Sequence, residues 1–409
     1  MNLEWISKDG KLLLGARIVR TFSYGFLSVI LAIYLKLIGF NDILIGLVLT
    51  ATLVNSVFFN LFSSAYADKF GRKKILALYA ALMIVSAIIF FVTDNYVALV
   101  IAALVGTINV TGSEVGAFLS LEQALLPQTV KDVKKRNSIF AIYNSVGTFA
   151  MSAGVMVSGL PSLLQKYYGF DEIDAIKFLF LVYAACAIST LAIYLTLSKN
   201  IEVRSQTPKS NLSLKNISSK SKGIIGKMSL LFAVDSFGGG FVIQSIVSFW
   251  FYTRFGADLS TLSYVFTIAG ILTAVSYIAS TRIASKIGLV NTMVFTHIPS
   301  NVLLILLAFS PSFSIAMSLY FARMSLSQMD VPTRQSYLMG VVNEDERIPA
   351  AVFTNTSRNI AQATSPSLIG LVISALSLSA PFVFGGVLKI AYDVGIFFSF
   401  RKIKPPEEQ

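Results

Sequence analysis

The chain has 409 residues, 55% of them hydrophobic and 13% charged, with 33 Lys and Arg against 21 Asp and Glu. Soluble domains carry about 25% charged residues, so this composition, with long apolar runs from end to end, excludes a water-soluble core and predicts a polytopic membrane protein. A single histidine and a single cysteine exclude a multi-histidine zinc or haem centre, an HExxH protease and an internal disulfide; no cofactor is expected.

The first residues, "MNLEWISKDGK", are polar and lead straight into an apolar run, unlike a cleaved signal. Apolar runs predict an all-α fold of twelve spans, at 12–37, 42–66, 75–93, 96–126, 138–160, 174–198, 228–253, 259–284, 289–310, 314–342, 348–376 and 379–400. Basic residues cluster at 68–74, 131–136, 199–227, 281–286 and 401–404, while the opposite loops hold little beyond Lys36, Lys166, Lys177 and Arg254. This loop asymmetry follows the positive-inside rule and argues against nucleic acid as the partner. It places both termini and the long middle loop in the cytoplasm, in a plasma-membrane protein. Segment 199–227 is rich in Ser and Lys and lacks an apolar stripe, so it reads as a linker between a six-helix bundle over 1–198 and another over 228–409. A weak internal repeat supports two pseudo-symmetric bundles: 122–140 aligns with 334–352, and 67–75 with 284–292.

Eleven ionisable residues besides His297 lie well inside the spans. Each would cost roughly 2.5–3.5 kcal/mol at a lipid-facing helix centre, so they must face protein or water. On span 1, Arg17, Thr21, Tyr24 and Ser28 share a face, with Arg20 beside them. Arg17 could instead snorkel to the interface. Span 4 carries Glu114, within "TGSEVG", and Glu122. Glu114 has no base one turn away in sequence and is the candidate proton carrier. In span 5, Gly147, Gly154, Gly159 and Pro161 read as small residues for helix packing.

On span 7, Asp235 precedes "FGGGF", whose glycines allow close helix approach or unwinding, and Gln244 follows. Span 9 holds His297, read as a packed polar residue. Span 10 carries Arg323, Asp330 and Arg334, which fall within roughly 40° of one another on an unbroken helix. Pro332 on the same span suggests a kink. Asp330 with Arg334 is also a possible local ion pair. Arg358 lies on span 11, and Lys389 with Asp393 on span 12 reads as a structural pair. Inside, six cations meet five anions; Arg20, Arg323 and Arg358 favour an anionic or zwitterionic organic solute.

The loop "SAYADKFGRKKIL" at 64–76 resembles the signature of the major facilitator superfamily, G-x-x-x-D-x-x-G-R-[KR], between spans 2 and 3. Asp68, Gly71, Arg72 and Lys73 match, and Ser64 stands where the first glycine is usual. The resemblance implies the family's fold and alternating-access transport, with spans 1, 4, 7 and 10 lining a central cavity. Eight of the eleven buried charges fall on those four spans. Arg20, Tyr24, Asp235, Gln244, Arg323, Asp330 and Arg358 are therefore the candidate substrate contacts, and Glu114 the proton-coupling residue. Asp68, Gly71 and Arg72 are the candidate gate at the loop. Glu122 and Arg334, at repeat-related span ends with opposite charge, would pair when the cytoplasmic side closes. The expected function is proton-coupled secondary transport of a small organic solute by a monomer. The alternative is a drug-efflux antiporter, and a membrane receptor or enzyme is a distant third. No nucleotide-binding motif, metal cluster or Ser/His/acid constellation supports ATP-driven transport or catalysis.

Overall fold

The computed structural model describes residues 5–112, 116–130, 136–198, 201, 218–343 and 346–403. These form sixteen α-helices. The first eight are α1 (Lys8–Leu37), α2 (Asp42–Phe70), α3 (Arg72–Val92), α4 (Tyr96–Val105), α5 (Ala117–Leu125), α6 (Arg136–Val157), α7 (Leu160–Tyr168) and α8 (Glu172–Thr196). The second eight are α9 (Ser219–Gly240), α10 (Gln244–Phe255), α11 (Leu259–Ile287), α12 (Leu289–Ala308), α13 (Phe313–Leu326), α14 (Asp330–Val341), α15 (Arg347–Ala375) and α16 (Ala380–Phe400). They group into twelve spans, with spans 4, 5, 7 and 10 each made of two helices: α4 with α5, α6 with α7, α9 with α10, and α13 with α14.

Local chemistry sets the helix ends. Side-chain oxygens of Ser7, Asn41, Asn95, Asp171, Ser218 and Ser312 cap α1, α2, α4, α8, α9 and α13 by accepting from first-turn backbone N–H groups. Gly71, with φ +96°, ends α2 and starts α3 in one residue, a turn that a side chain would strain. Large apolar side chains remain exposed, as expected of helices that meet lipid: Phe149, Val92, Leu230 and Phe398 are 68–72% exposed.

The chain packs as two compact units, Met1–Ser205 with Ile243–Thr267, and Gln206–Val242 with Ile268–Gln409. In the first unit α1 is the central helix, buried without interruption from Tyr24 to Leu35, and it packs along α6. The approach is backbone to backbone. A Cβ on Gly154 would stand 1.8 Å from the carbonyl oxygen of Phe22, and one on Gly25 would stand 2.2 Å from that of Met151. In the second unit α9 packs on α15 and α16, and α12 on α16, around Phe232, Met293, Tyr337, Tyr392 and Ile396.

Candidate functional site

Three of the two-helix spans place breaks where charge or polar groups are buried. In span 4 helix stops at Val105 and resumes at Ala117. Carbonyls in the last turn of α4 take side-chain donors, that of Ala102 in addition to its bond from the Gly106 N–H. Asn55 Nδ2 donates to the Leu104 carbonyl at 2.6 Å, and Ser86 Oγ to that of Ala102 at 2.9 Å. Non-helical backbone survives at membrane depth only when protein satisfies it in this way. Glu114 lies outside the described residues.

Within the first unit this break meets α1 and α10. Tyr24, 2% exposed, sets its hydroxyl 3.1 Å from Thr107 Oγ1. Gln244 donates from Nε2 to Ser28 Oγ at 3.0 Å, and the Ser245 N–H donates to the Val110 carbonyl at 3.2 Å. Gly112 has φ +76°, and a Cβ there would stand 2.0 Å from Gln244 Oε1, so only glycine fits. Two sequence candidates, Tyr24 and Gln244, thus meet at a segment whose interruption the apolar pattern did not reveal.

Deeper in the same unit, Arg20 and Glu122 are both 0% exposed and bind face to face. Arg20 Nη1 and Nη2 donate to Glu122 Oε1 and Oε2 at 3.1 and 2.7 Å. The Tyr143 and Tyr194 hydroxyls donate to the same carboxylate at 2.5 and 2.7 Å. Arg20 also donates to the Tyr194 hydroxyl and lies over the Phe118 ring at 4.4 Å. Arg17 does not snorkel. It is 6% exposed, donates to the carbonyl and hydroxyl oxygens of Tyr143, each at 3.1 Å, and stacks on that ring at 4.0 Å. The two tyrosines were missed from sequence, where an aromatic on an apolar helix carries no mark of its partner.

The second unit holds the other charge cluster. The span 10 helix stops at Leu326 and restarts at Asp330, so the stripe expected of one continuous helix is interrupted between Arg323 and Asp330. Pro332 is not a mid-helix kink. It is the third residue of α14, where its missing N–H removes no intrahelical bond. Arg334 Nη1 bridges Asp330 Oδ2 and Asp235 Oδ2, both at 3.1 Å. The other Asp235 oxygen, Oδ1, receives Lys389 Nζ at 2.7 Å. The Lys389–Asp393 pairing expected from spacing is thereby replaced. Asp393 instead meets His297 Nδ1 at 2.8 Å and Asn301 Nδ2 at 3.1 Å. Arg358 Nε donates to Ser236 Oγ at 3.0 Å.

Arg323 differs from these. It is 8% exposed, its Nη1 faces the Met324 sulfur at 3.2 Å, and its Nε has no hydrogen-bond partner among the described residues. The "FGGGF" segment serves both roles its glycines permit. Helix α9 ends at Gly240, with the Phe237 carbonyl capped by Ser365 Oγ at 2.6 Å, and a Cβ on Gly238 would stand 3.1 Å from the Gly385 carbonyl oxygen.

At the 64–76 loop, Gly71 forms the turn, Arg72 opens α3, and Lys73 Nζ donates to the Leu197 carbonyl just past α8 at 2.6 Å. Asp68 falls in the last turn of α2, and its side chain lies outside what is described. Glu122 and Arg334, expected to pair with each other, take Arg20 and the two tyrosines in one case and Asp330 with Asp235 in the other.

Twelve mostly apolar spans, several of them interrupted, with charge sequestered inside two helical units, define a polytopic membrane protein. The chain belongs to the Major Facilitator Superfamily, whose model matches residues 13–327. That membership assigns it to transport rather than to catalysis. The uncharacterized membrane protein YJR124C of Saccharomyces cerevisiae is 26% identical over 96% of this chain and 94% of its own length. Among solved structures, a mutant of the nucleoside transporter NupG superposes with TM-score 0.75 at 13% identity, covering 96% of this chain and 100% of that one. A D-xylose-proton symporter superposes with TM-score 0.74 at 12% identity, covering 95% and 96%.

Proposed function

We propose that this chain is a proton-coupled secondary transporter that moves a small organic solute bearing an anionic group, free or within a zwitterion, by alternating access. The observation that carries the substrate class is Arg323. Four buried cations have anionic or phenolic partners: Arg17, Arg20, Arg334 and Lys389. Arg323, at 8% exposure, has no carboxylate partner among the described residues; its neighbours are the Met324 thioether and, one turn back, the Tyr320 phenol. A buried guanidinium without a counter-charge among the described residues is well suited to a carboxylate or phosphate arriving from outside the chain. Arg358, Asp235 and Asp330 stand with it as solute contacts from the second unit, and Tyr24, Gln244 and Arg20 from the first. The fold neighbours include a nucleoside transporter and a proton symporter of a small sugar, which fits a modest polar solute and a proton.

Of the span 7 aromatics that would suit a drug-efflux cavity, Phe241 is buried and Phe237 is half-buried against it. Phe249 and Trp250 are 1% and 0% exposed and pack inside the first unit. Glu114 remains the proposed proton carrier, and Asp68, Gly71, Arg72, Glu122 and Arg334 the proposed gating residues. A gate pair between Glu122 and Arg334 would require both to exchange their present partners. The proposed setting is a monomer in the plasma membrane, with the termini and the 199–227 linker cytoplasmic.

The deciding experiment is thermal stabilisation of the purified protein by a library of carboxylates, phosphate esters, amino acids and lipophilic cations, repeated on Arg323→Met, followed by proteoliposome uptake of the best compound. Anionic or zwitterionic hits that Arg323→Met abolishes support the reading. Hits confined to lipophilic cations, unchanged in the variant, reject it. Topology is tested by cysteines placed at Ser210 and at Lys166 in a Cys186→Ser background; labelling of both from the same side rejects the proposed orientation.

A further inference from the structure

The second unit holds a titratable group that no role above uses. His297 on α12 is 3% exposed and is the chain's only histidine. Its Nδ1 lies 2.8 Å from Asp393 Oδ1, and its Nε2 faces Asp235 Oδ1 at 4.0 Å. Asn301, one turn along α12, brackets the pair, with Nδ2 at 3.1 Å from Asp393 Oδ2. The Tyr392 ring closes edge-on at 5.9 Å.

The surrounding charges single out this pair. From α9 comes Asp235, and from α14 come Asp330 and Arg334. From α15 comes Arg358, hydrogen-bonded to Ser236, and from α16 come Lys389, Tyr392 and Asp393. Arg323, on α13, faces Met324. Asp235 and Asp330 are thus met by Lys389 and Arg334. Among the described residues the only hydrogen-bonding group able to offer Asp393 a positive charge is His297. A buried carboxylate needs a counter-charge, and this one can have it only when the imidazole is protonated.

We propose that His297 and Asp393 form a proton-binding site, filled by one proton from water and emptied by its return. In the empty state neutral His297 donates Nδ1–H to the Asp393 carboxylate. In the filled state Nε2 also carries a proton, and the imidazolium neutralises Asp393 while presenting a second N–H toward Asp235 Oδ1. That oxygen is the one Lys389 holds at 2.7 Å, and the other Asp235 oxygen holds Arg334 at 3.1 Å. Filling the site therefore changes the competition for Asp235 and reaches Arg334, at the start of the second half of span 10. The site places a proton on spans 9 and 12. Its consequence, coupling of protons to solute movement, rests on the transport reading; the site itself does not.

With one histidine in the chain, ¹⁵N-histidine labelling reports this position alone. The full chain in lipid nanodiscs is titrated from about pH 5 to about pH 9, following both imidazole nitrogens. The expected result is a single step in both signals. Asp393→Asn should move its midpoint to lower pH by about tenfold in proton concentration or more, because the imidazolium loses its counter-charge. Asp393→Glu should keep the midpoint near that of the wild type. Signals that stay flat across the range overturn the proposal, as does the same midpoint in Asp393→Asn. If Asp393→Asn does not fold, the wild-type titration and Asp393→Glu still decide. No solute enters the measurement, so a flat titration leaves the transport reading standing, and failure of solute uptake leaves the proton site standing.

Discussion

Replacing Glu122 with alanine tests whether the first charge cluster is a structural core or a passage for solute. The carboxylate is 0% exposed and accepts from both Arg20 Nη groups and from the Tyr143 and Tyr194 hydroxyls. Glu122→Ala leaves a guanidinium buried without its counter-charge, which costs about 3–5 kcal/mol. At roughly 2–4 °C per kcal/mol for a unit of this size, the melting temperature should fall by about 6–20 °C. The double variant Arg20→Met with Glu122→Leu removes both charges and fills the space with apolar atoms, which by itself is near neutral. Its residual cost is the Tyr194 hydroxyl, stranded without partners, about 1–3 kcal/mol. The Tyr143 hydroxyl keeps Arg17. The double variant should therefore melt above the single one. Melting curves of wild type, Glu122→Ala and the double variant, in one detergent at one pH, provide the check. A double variant that melts as low as Glu122→Ala, or a Glu122→Ala with no loss, would show that the pair does not hold the unit together.

Arg323→Met should leave the melting temperature unchanged or raise it, whereas Arg334→Met should lower it by several degrees. Among the described residues the first guanidinium has no carboxylate to abandon and the second has two. Gly154→Ala should be destabilising by roughly 1–3 kcal/mol or more, because its Cβ would stand 1.8 Å from the Phe22 carbonyl oxygen; Gly169→Ala, with open space around it, should cost only its left-handed backbone strain. Thermal melts of both separate packing from turn strain. Glu346, in the loop before α15, accepts the Ser218 N–H at 2.6 Å, and this bond, with the Ser221 side chain, holds its carboxyl below the ordinary value of 4.5. Because the folded-state value is depressed, the stabilisation is complete above that ordinary value and is lost as pH falls through the folded one. The melting gap between wild type and Glu346→Gln should therefore stay constant above about pH 5.5 and close in more acidic buffer; a gap independent of pH would refute the assignment.

The sequence by itself determined the features that depend on one residue and its neighbours along the chain. Span length and apolarity gave twelve crossings because the hydrocarbon thickness fixes how many residues a helix needs. Gly71 was legible because a one-residue turn between helices admits little else, and the loop around it carried the family. The Asp330–Arg334 contact was legible because an i,i+4 pair on a helix meets whatever the fold around it. Tertiary structure decided the rest. Lys389 and Asp393 have the same spacing yet part company, because Asp235 and His297 arrive from other helices and offer each charge a closer partner. Arg20 and Glu122 stand 102 residues apart, and their phenolic partners lie on α6 and α8. No periodicity can register a contact between helices. The breaks in spans 4 and 10 were hidden for a related reason: the apolar stretches on either side together have the length of one span, although the breaks themselves are rich in glycine and polar residues. The alternative backbone is stable only where Asn55, Ser86 and neighbouring backbone satisfy its polar groups, and those partners are supplied by folding.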